Sequence, residues 1–189
     1  MAFKVRLFPG EPDYETLHVA KLTTFPLEKR DYKPYSQARV CFSHGGLSLQ
    51  LLAFEAEPLP QSELRAVFRF TGDEPPLTLL IRADRSMRIL RGAEDVTAVL
   101  VAAEAASLHM FTGEDLQGVF WGGNLFLSAA VMKTYYPRFS PVKDTVFTGN
   151  LYKLCEGPEK PHSGCFYPAD FAKPLDAPEN LGEFVVIDY

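Results

Sequence analysis

Apolar and polar residues alternate with period two along most of this chain. Phe3, Val5 and Leu7 interleave with Lys4 and Arg6, a pattern that turns one face of a strand to a core and the other to water. Ala38, Val40 and Phe42 lead into His44-Gly-Gly46, and Leu47, Leu49, Leu51 and Ala53 return from it. Two such runs around a Gly-Gly turn predict a hairpin. Leu64, Ala66, Phe68 and Phe70 predict the next strand, with Arg65 and Arg69 on its other face. Leu77, Leu79 and Ile81 resume after the break at Gly72-Asp-Glu-Pro-Pro76, and Met87 to Arg91 is a short strand after Ala83-Asp-Arg-Ser86. Val119 to Leu127, Phe147 to Cys155 and Phe184 to Ile187 complete the set.

Two segments depart from this rhythm. Asp95 to Met110 is Ala-rich and suits a helix by propensity, yet Val96, Val99 and Val101 suit a strand equally well. Ser128 to Tyr136 predicts one or two helical turns, stopped by Pro137. The 15 prolines fall almost wholly between the alternating runs, where breakers of strand pairing belong. The expected architecture is all-β: an antiparallel β-sandwich with minor short helices. It forms a single domain over residues 1–189, with Phe184 to Ile187 central or nearly so.

Charge narrows the partners. A net charge of −5 and the lack of any Lys/Arg cluster leave no basic footprint, so no nucleic-acid partner is expected. No apolar run approaches the about 18 residues of a membrane span. Met1-Ala-Phe-Lys-Val-Arg is not followed by the apolar region of a signal peptide. Three cysteines make a poor disulfide framework and fit a reducing compartment. A cytoplasmic monomer is the expectation.

The chain has no glycine-rich phosphate loop, no G-x-S-x-G elbow and no H-E-x-x-H, which removes the commonest catalytic signatures. Glu55 and Glu57 are spaced to share a strand face. They read as solvated acids, or as one acid that meets a sugar hydroxyl at a strand end. Cys41 and His44 are spaced C-x-x-H, His162 and Cys165 are spaced H-x-x-C, and Cys155 lies upstream. Together they offer four soft ligands for zinc, or a thiol with a neighbouring base, if the two loops meet in space. The competing reading makes Cys41 a small buried hydrophobe. Sugars present flat C–H patches rimmed by hydroxyls, so their sites want an outward ring beside polar side chains. Phe166 and Tyr167 lie between Gly164 and Pro168 on a turn-rich segment read as a loop, and Asn150, Tyr152 and Leu154 share one strand face upstream.

At these residues the sequence resembles a known family. Asn150-Leu-Tyr-Lys153, His162-Ser-Gly-Cys-Phe166-Tyr-Pro168 and Leu175-Asp-Ala-Pro178-Glu179-Asn-Leu181-Gly182 look like the three closing motifs of the family 9 carbohydrate-binding modules and their single-domain bacterial relatives. Phe111 to Gly118 with the Trp121 strand resembles the middle of those relatives. The resemblance implies a sandwich of the DOMON class, non-catalytic binding of a saccharide or other small polar ligand, two clamping aromatics, and calcium ions that brace the fold. Haem or another small ligand is the alternative carried by more distant DOMON relatives. The departures are specific: Phe166 stands where the family has Trp, Leu175-Asp176 replaces a Phe-His pair, and Leu64 to Phe70 replaces an acidic strand. On this basis the expected sugar site comprises Phe166 as the stacking ring, Asn150, Tyr152, His162 and Ser163 as hydroxyl partners, and Glu55 from another strand.

Overall fold

The computed structural model describes residues 1–188. The alternating runs become strands β1 (Phe3–Phe8), β3 (Ser36–Ser43), β4 (Gly46–Phe54), β5 (Glu63–Arg69), β6 (Leu77–Arg82) and β7 (Met87–Arg91). Later in the chain come β9 (Ala106–Asp115), β10 (Gly118–Ser128), β11 (Val146–Cys155) and β13 (Gly182–Ile187). Three short strands add to them: β2 (Ala20–Leu22), β8 (Glu94–Asp95) and β12 (His162–Cys165). Residues 162–165 are therefore strand rather than loop, because β13 pairs with β11 only as far as Gly149 and β12 takes over that edge from Tyr152 to Cys155.

All the strands belong to one curled sheet in the order β8-β7-β6-β5-β11-β13-β1-β3-β4-β10-β9, with β12 on β11 and β2 on β3. Folded over, the β5–β8 half faces the β4–β10–β9 half, and the inward residues of both fill the core. A side chain at Gly123 of β10 would strike Ile81 of β6, so the two halves meet closely there. The sheet is mixed rather than purely antiparallel. The N-terminal strand β1 enters between the last strand and the first hairpin and runs parallel to both β13 and β3. Parallel neighbours need long connections, and residues 9–35, which carry β2, supply one of them.

The ambiguous 95–110 segment divides: Thr97–Ala102 is a short helix, α1, and β9 begins at Ala106. The second helix, α2 (Ala129–Tyr135), ends before Pro137 as its sequence demands, with the Ser128 side chain accepting from Val131 N at its start. The Gly-Gly hairpin forms with Ser43 paired to Gly46. Gly46 adopts φ +144°, and a Cβ there would lie 2.1 Å from the Leu127 carbonyl oxygen. Near the middle of the sheet, Phe184 is fully buried and its ring meets those of Phe3, Phe68 and Phe147 at 5.3–5.6 Å. Phe184→Ala should therefore cost about 3–5 kcal/mol, measurable by chemical denaturation; a loss below about 1 kcal/mol would contradict this packing.

Candidate functional site

Strand β11 organises the end of the sandwich where the sequence motifs gather, and its two faces serve different purposes. Asn150, Tyr152 and Leu154 point outward, while Leu151, Lys153 and Cys155 point inward. On the outer face the segment after β12 folds back across the sheet and is pinned there. Asn150 Nδ2 donates to the carbonyls of Tyr167 (3.0 Å) and Asn180 (2.7 Å), and its Oδ1 accepts from Tyr167 N (2.9 Å). The Tyr152 hydroxyl donates to the Leu175 carbonyl at 2.7 Å. Asn180 accepts from Asp170 N (2.7 Å) and donates to the Asp170 and Pro174 carbonyls (3.0 Å each). Buried backbone groups need such partners, so Asn150 and Tyr152, both wholly buried, hold the C-terminal segment in place. Phe166 is half-buried and packs against Tyr167, Phe3 and Phe184, with centroids at 4.6, 5.3 and 6.5 Å.

On the inner face Lys153 has no exposed surface. Each of its three N–H donors finds an acceptor: Ser62 Oγ at 2.5 Å, His162 Nε2 at 2.8 Å and Glu55 Oε2 at 3.2 Å. Glu55 is not a solvated strand acid. It lies just beyond the end of β4, 4% exposed, because strand pairing stops before the Pro58 bend. Its carboxylate also accepts from Ser62 Oγ (2.7 Å), Trp121 Nε1 (3.0 Å) and the Tyr32 hydroxyl (3.1 Å). Glu57, by contrast, is exposed. Burial alone would raise the Glu55 carboxyl, but the Lys153 ammonium and the donated hydrogen bonds bring it below its ordinary value. The completeness of both hydrogen-bond sets fixes the pair as carboxylate and ammonium. Burial lowers the Lys153 pKa, which makes those three acceptors essential to keeping its charge.

His162 reports the same balance. Burial and the adjacent Lys153 charge hold its pKa at about 4, below the ordinary 6.5. With Nε2 accepting from Lys153, the ring carries its proton on Nδ1 and donates it to the Lys160 carbonyl at 2.8 Å.

Exposed grooves lie on either side of β12. One groove of about 430 Å³ runs between residues 27–30 and Pro161-His162-Ser163. The other is a cleft of about 310 Å³ lined by Gln61, Glu63, Arg65, Arg82, Leu154 and Glu156. Strand register explains the cleft. Ser163 lies opposite Leu154, Leu154 opposite Glu63, and Glu63 opposite Arg82, so four strands contribute one row. Glu63, 4% exposed, accepts from Arg65 Nε (2.6 Å) on one oxygen and from Arg82 Nε (3.0 Å) on the other. Among the described residues Arg82 hydrogen-bonds through Nε to Glu63, and its charge also acts on Asp84. Ser163 thus stands at the β12 end of the row that holds Glu63 and Arg82, with Arg65 one row along; Glu63, Arg65 and Arg82 were not among the residues expected from sequence. Their signal was the i, i+2 spacing of Glu63 and Arg65 on the polar face of a predicted strand.

The five thiol and imidazole residues do not form a metal centre. Cys41 packs with Phe8 and Leu17, whereas Cys165 packs with Val67 and Tyr152. His44 is exposed at the hairpin turn, and only Cys155 and His162 are cross-strand neighbours. Burial pushes the Cys41 and Cys165 thiols up to about 12 and about 11, away from the thiolate that ligation or attack requires. Among the described residues no three His, Cys, Asp or Glu side chains converge as a metal site would need, and this holds for a carboxylate cage for calcium as for zinc. Among the described residues no helix is long and apolar enough to cross a membrane.

Comparison of the sequence with known families and with curated proteins finds no match. Comparison of the fold does. A Bacteroides uniformis ATCC 8492 protein to which carbohydrate binding is ascribed superposes with a TM-score of 0.74 at 14% identity, over 98% of this chain and 99% of that one. A family 9 carbohydrate-binding module from Caldicellulosiruptor kristjanssonii in complex with glucose has a TM-score of 0.64 at 6% identity, over 98% and 96% of the two chains. The same kind of module in complex with cellotriose gives 0.64 and 6%, over 98% and 94%. The chain therefore has the fold of the family 9 carbohydrate-binding modules over 98% of its length.

Two outcomes test the buried network. Lys153→Met leaves Glu55 an uncompensated buried charge and should cost about 3–5 kcal/mol; the added Glu55→Gln change should restore part of that loss in denaturant titrations. A lowered folded-state pKa at His162 means that the unfolded chain binds the extra proton between about pH 6.5 and 4. Its contribution to stability is whole above 6.5 and is lost as pH falls toward 4. The melting temperature should drop across that window, and less so in His162→Asn; identical profiles would contradict the assignment.

Proposed function

We propose that this chain is a non-catalytic saccharide-binding domain whose ligand occupies the cleft beside β12. The observation that carries the reading is the whole-length fold match to modules that hold glucose and cellotriose. The cleft supplies suitable chemistry. A sugar hydroxyl both donates and accepts, and adjacent hydroxyls match the planar fork of a guanidinium. Glu63 is held between Arg65 and Arg82, so those forks are oriented before a ligand arrives, which lowers the entropic cost of binding. Gln61 extends the polar rim, Leu154 with Pro158 offers apolar wall to the C–H faces of a pyranose, and Ser163, which lines the groove on the other side of β12, borders the cleft through its pairing with Leu154. Of the residues first expected to touch sugar, Ser163 keeps that role. Asn150 and Tyr152 position the C-terminal segment beside the cleft, Glu55 and His162 support β12 from below, and Phe166 anchors the turn that follows.

A ligand that binds only the folded state raises its melting temperature. A thermal-shift screen of mono- and oligosaccharides, glucose and cellotriose included, should find at least one that stabilises the protein. Arg82→Gln removes charged hydrogen-bond donors and should weaken that ligand about tenfold by calorimetry. Its melting temperature should change little, since Arg65 still pairs with Glu63. Absence of any stabilising saccharide, or undiminished affinity in the variant, would contradict the proposal.

A further inference from the structure

The outer face of the other half of the sandwich carries a second, differently built surface. The outward face of a solvated sheet is ordinarily polar and charged. Across β3, β4, β10 and β9 the register instead places Arg39, Gln50, Asn124 and His109 in one row. Arg39 Nη1 donates to Gln50 Oε1 at 2.8 Å, and Gln50 Nε2 donates to Asn124 Oδ1 at 3.1 Å. The row is thus a pre-oriented ladder of planar groups, and Arg39 Nε is buried within it without a hydrogen-bond partner.

Beside the ladder runs a line of rings. Tyr35 meets Phe54 at 5.8 Å, Phe54 meets Phe120 at 5.5 Å, and Phe120 meets Phe111 at 6.4 Å. These four half-buried rings pack on one another and belong to none of the core clusters. Two of them lean over cross-strand glycines. A Cβ at Gly122 would come within 2.9 Å of the Phe111 ring, and one at Gly113 within 2.5 Å of the Phe120 ring. The glycines let the rings fold down across the strands and keep the face low in relief. Among the described residues the Asp, Glu and Lys on these outward rows stand only at their margins, Lys21 of β2 opposite Gln37 and Asp115 at the end of β9.

We propose that this face binds an extended, neutral polysaccharide, independently of the cleft beside β12. Rings take the C–H faces of successive sugars, and the ladder takes their hydroxyls, which donate and accept along its length as its free amide and guanidinium edges require. The face is open, so a long chain can lie across it without an end being enclosed. Four strands at the usual spacing give a row on the order of 15 Å, room for several sugar units. Its fixed charges are few and of both signs, Arg39 within the ladder with Lys21 and Asp115 at the margins, which offers little to an acidic glycan or to the charged rim of a protein partner.

Retention in native affinity gels containing soluble mixed-linkage β-glucan, and pull-down on microcrystalline cellulose, test this with the full chain. Polygalacturonate serves as the acidic control. Asn124→Ala and Phe120→Ala should each weaken retention about tenfold, whereas Arg82→Gln should leave it unchanged. If Phe120→Ala loses its cooperative melting transition, Asn124→Ala together with exposed His109→Ala carries the test. Retention lost only in Arg82→Gln would overturn the second site while leaving the cleft intact. Retention lost in the ladder variants with undiminished small-saccharide binding would support the face even as a separate site. Stronger retention by polygalacturonate, or no retention by either neutral glycan, would overturn the proposal. So would sedimentation showing a dimer that Phe120→Ala dissociates, which assigns the face to a second copy of the chain.

Discussion

One buried ammonium governs the end of this sandwich. Lys153 sits in the space between the two halves of the sheet, where a charge is tolerated only when it is paired and fully hydrogen-bonded. Meeting that demand draws together Glu55 from beyond β4, Ser62 from before β5, His162 from β12 and, through Glu55, Trp121 from β10 and Tyr32. Those groups come from both halves. The network therefore sets the position of β12 relative to the β4 end, and with it the wall between the two grooves. An apolar residue at 153 could fill the same space, but it would not tie β12, already paired to β11, to Glu55 at the β4 end.

The opposite face of β11 solves a different problem. Asn150 and Tyr152 satisfy the backbone of a segment with little regular structure, so that residues 166–181 pack over the outer face of β11 and β5 around Tyr152 and Val67, beside the Ser163–Leu154–Glu63–Arg82 row. The cleft is what remains uncovered. Its two guanidiniums are oriented by a carboxylate that is itself almost inaccessible. In the proposed reading, a preformed polar cleft on one half and a ring-and-amide face on the other would give the domain two ways to meet a glycan, which differ in depth and in charge.

Much of the fold was legible because period-two alternation is a direct imprint of a half-buried strand. Ala38 to Ala53, Leu64 to Phe70 and Phe147 to Cys155 could be read from it. The parallel placement of β1 could not, since nothing local to Phe3–Phe8 records which strands will flank it. The site was less legible. Asn150 and Tyr152 are conspicuous in sequence for the same reason that they are buried: they answer the hydrogen-bonding needs of distant backbone. Residue type alone does not distinguish that duty from ligand contact. Lys153 was readable in principle, because alternation with Leu151 and Cys155 places it on the apolar face, where a lysine demands partners. Glu63 and Arg82 lie 19 residues apart and meet only through the β5–β6 register, which the sequence does not display.

The central claim is that the Glu63-held arginines contact a saccharide. The most direct measurement is a side-chain NMR titration that follows the Arg Nε–Hε resonances as glucose or cellotriose is added. The account predicts saturable shifts at Arg65 and Arg82, with Arg6 and Arg138 on other surfaces unmoved. Saturable shifts confined to arginines away from Glu63, or backbone evidence of binding with Arg65 and Arg82 silent, would contradict it.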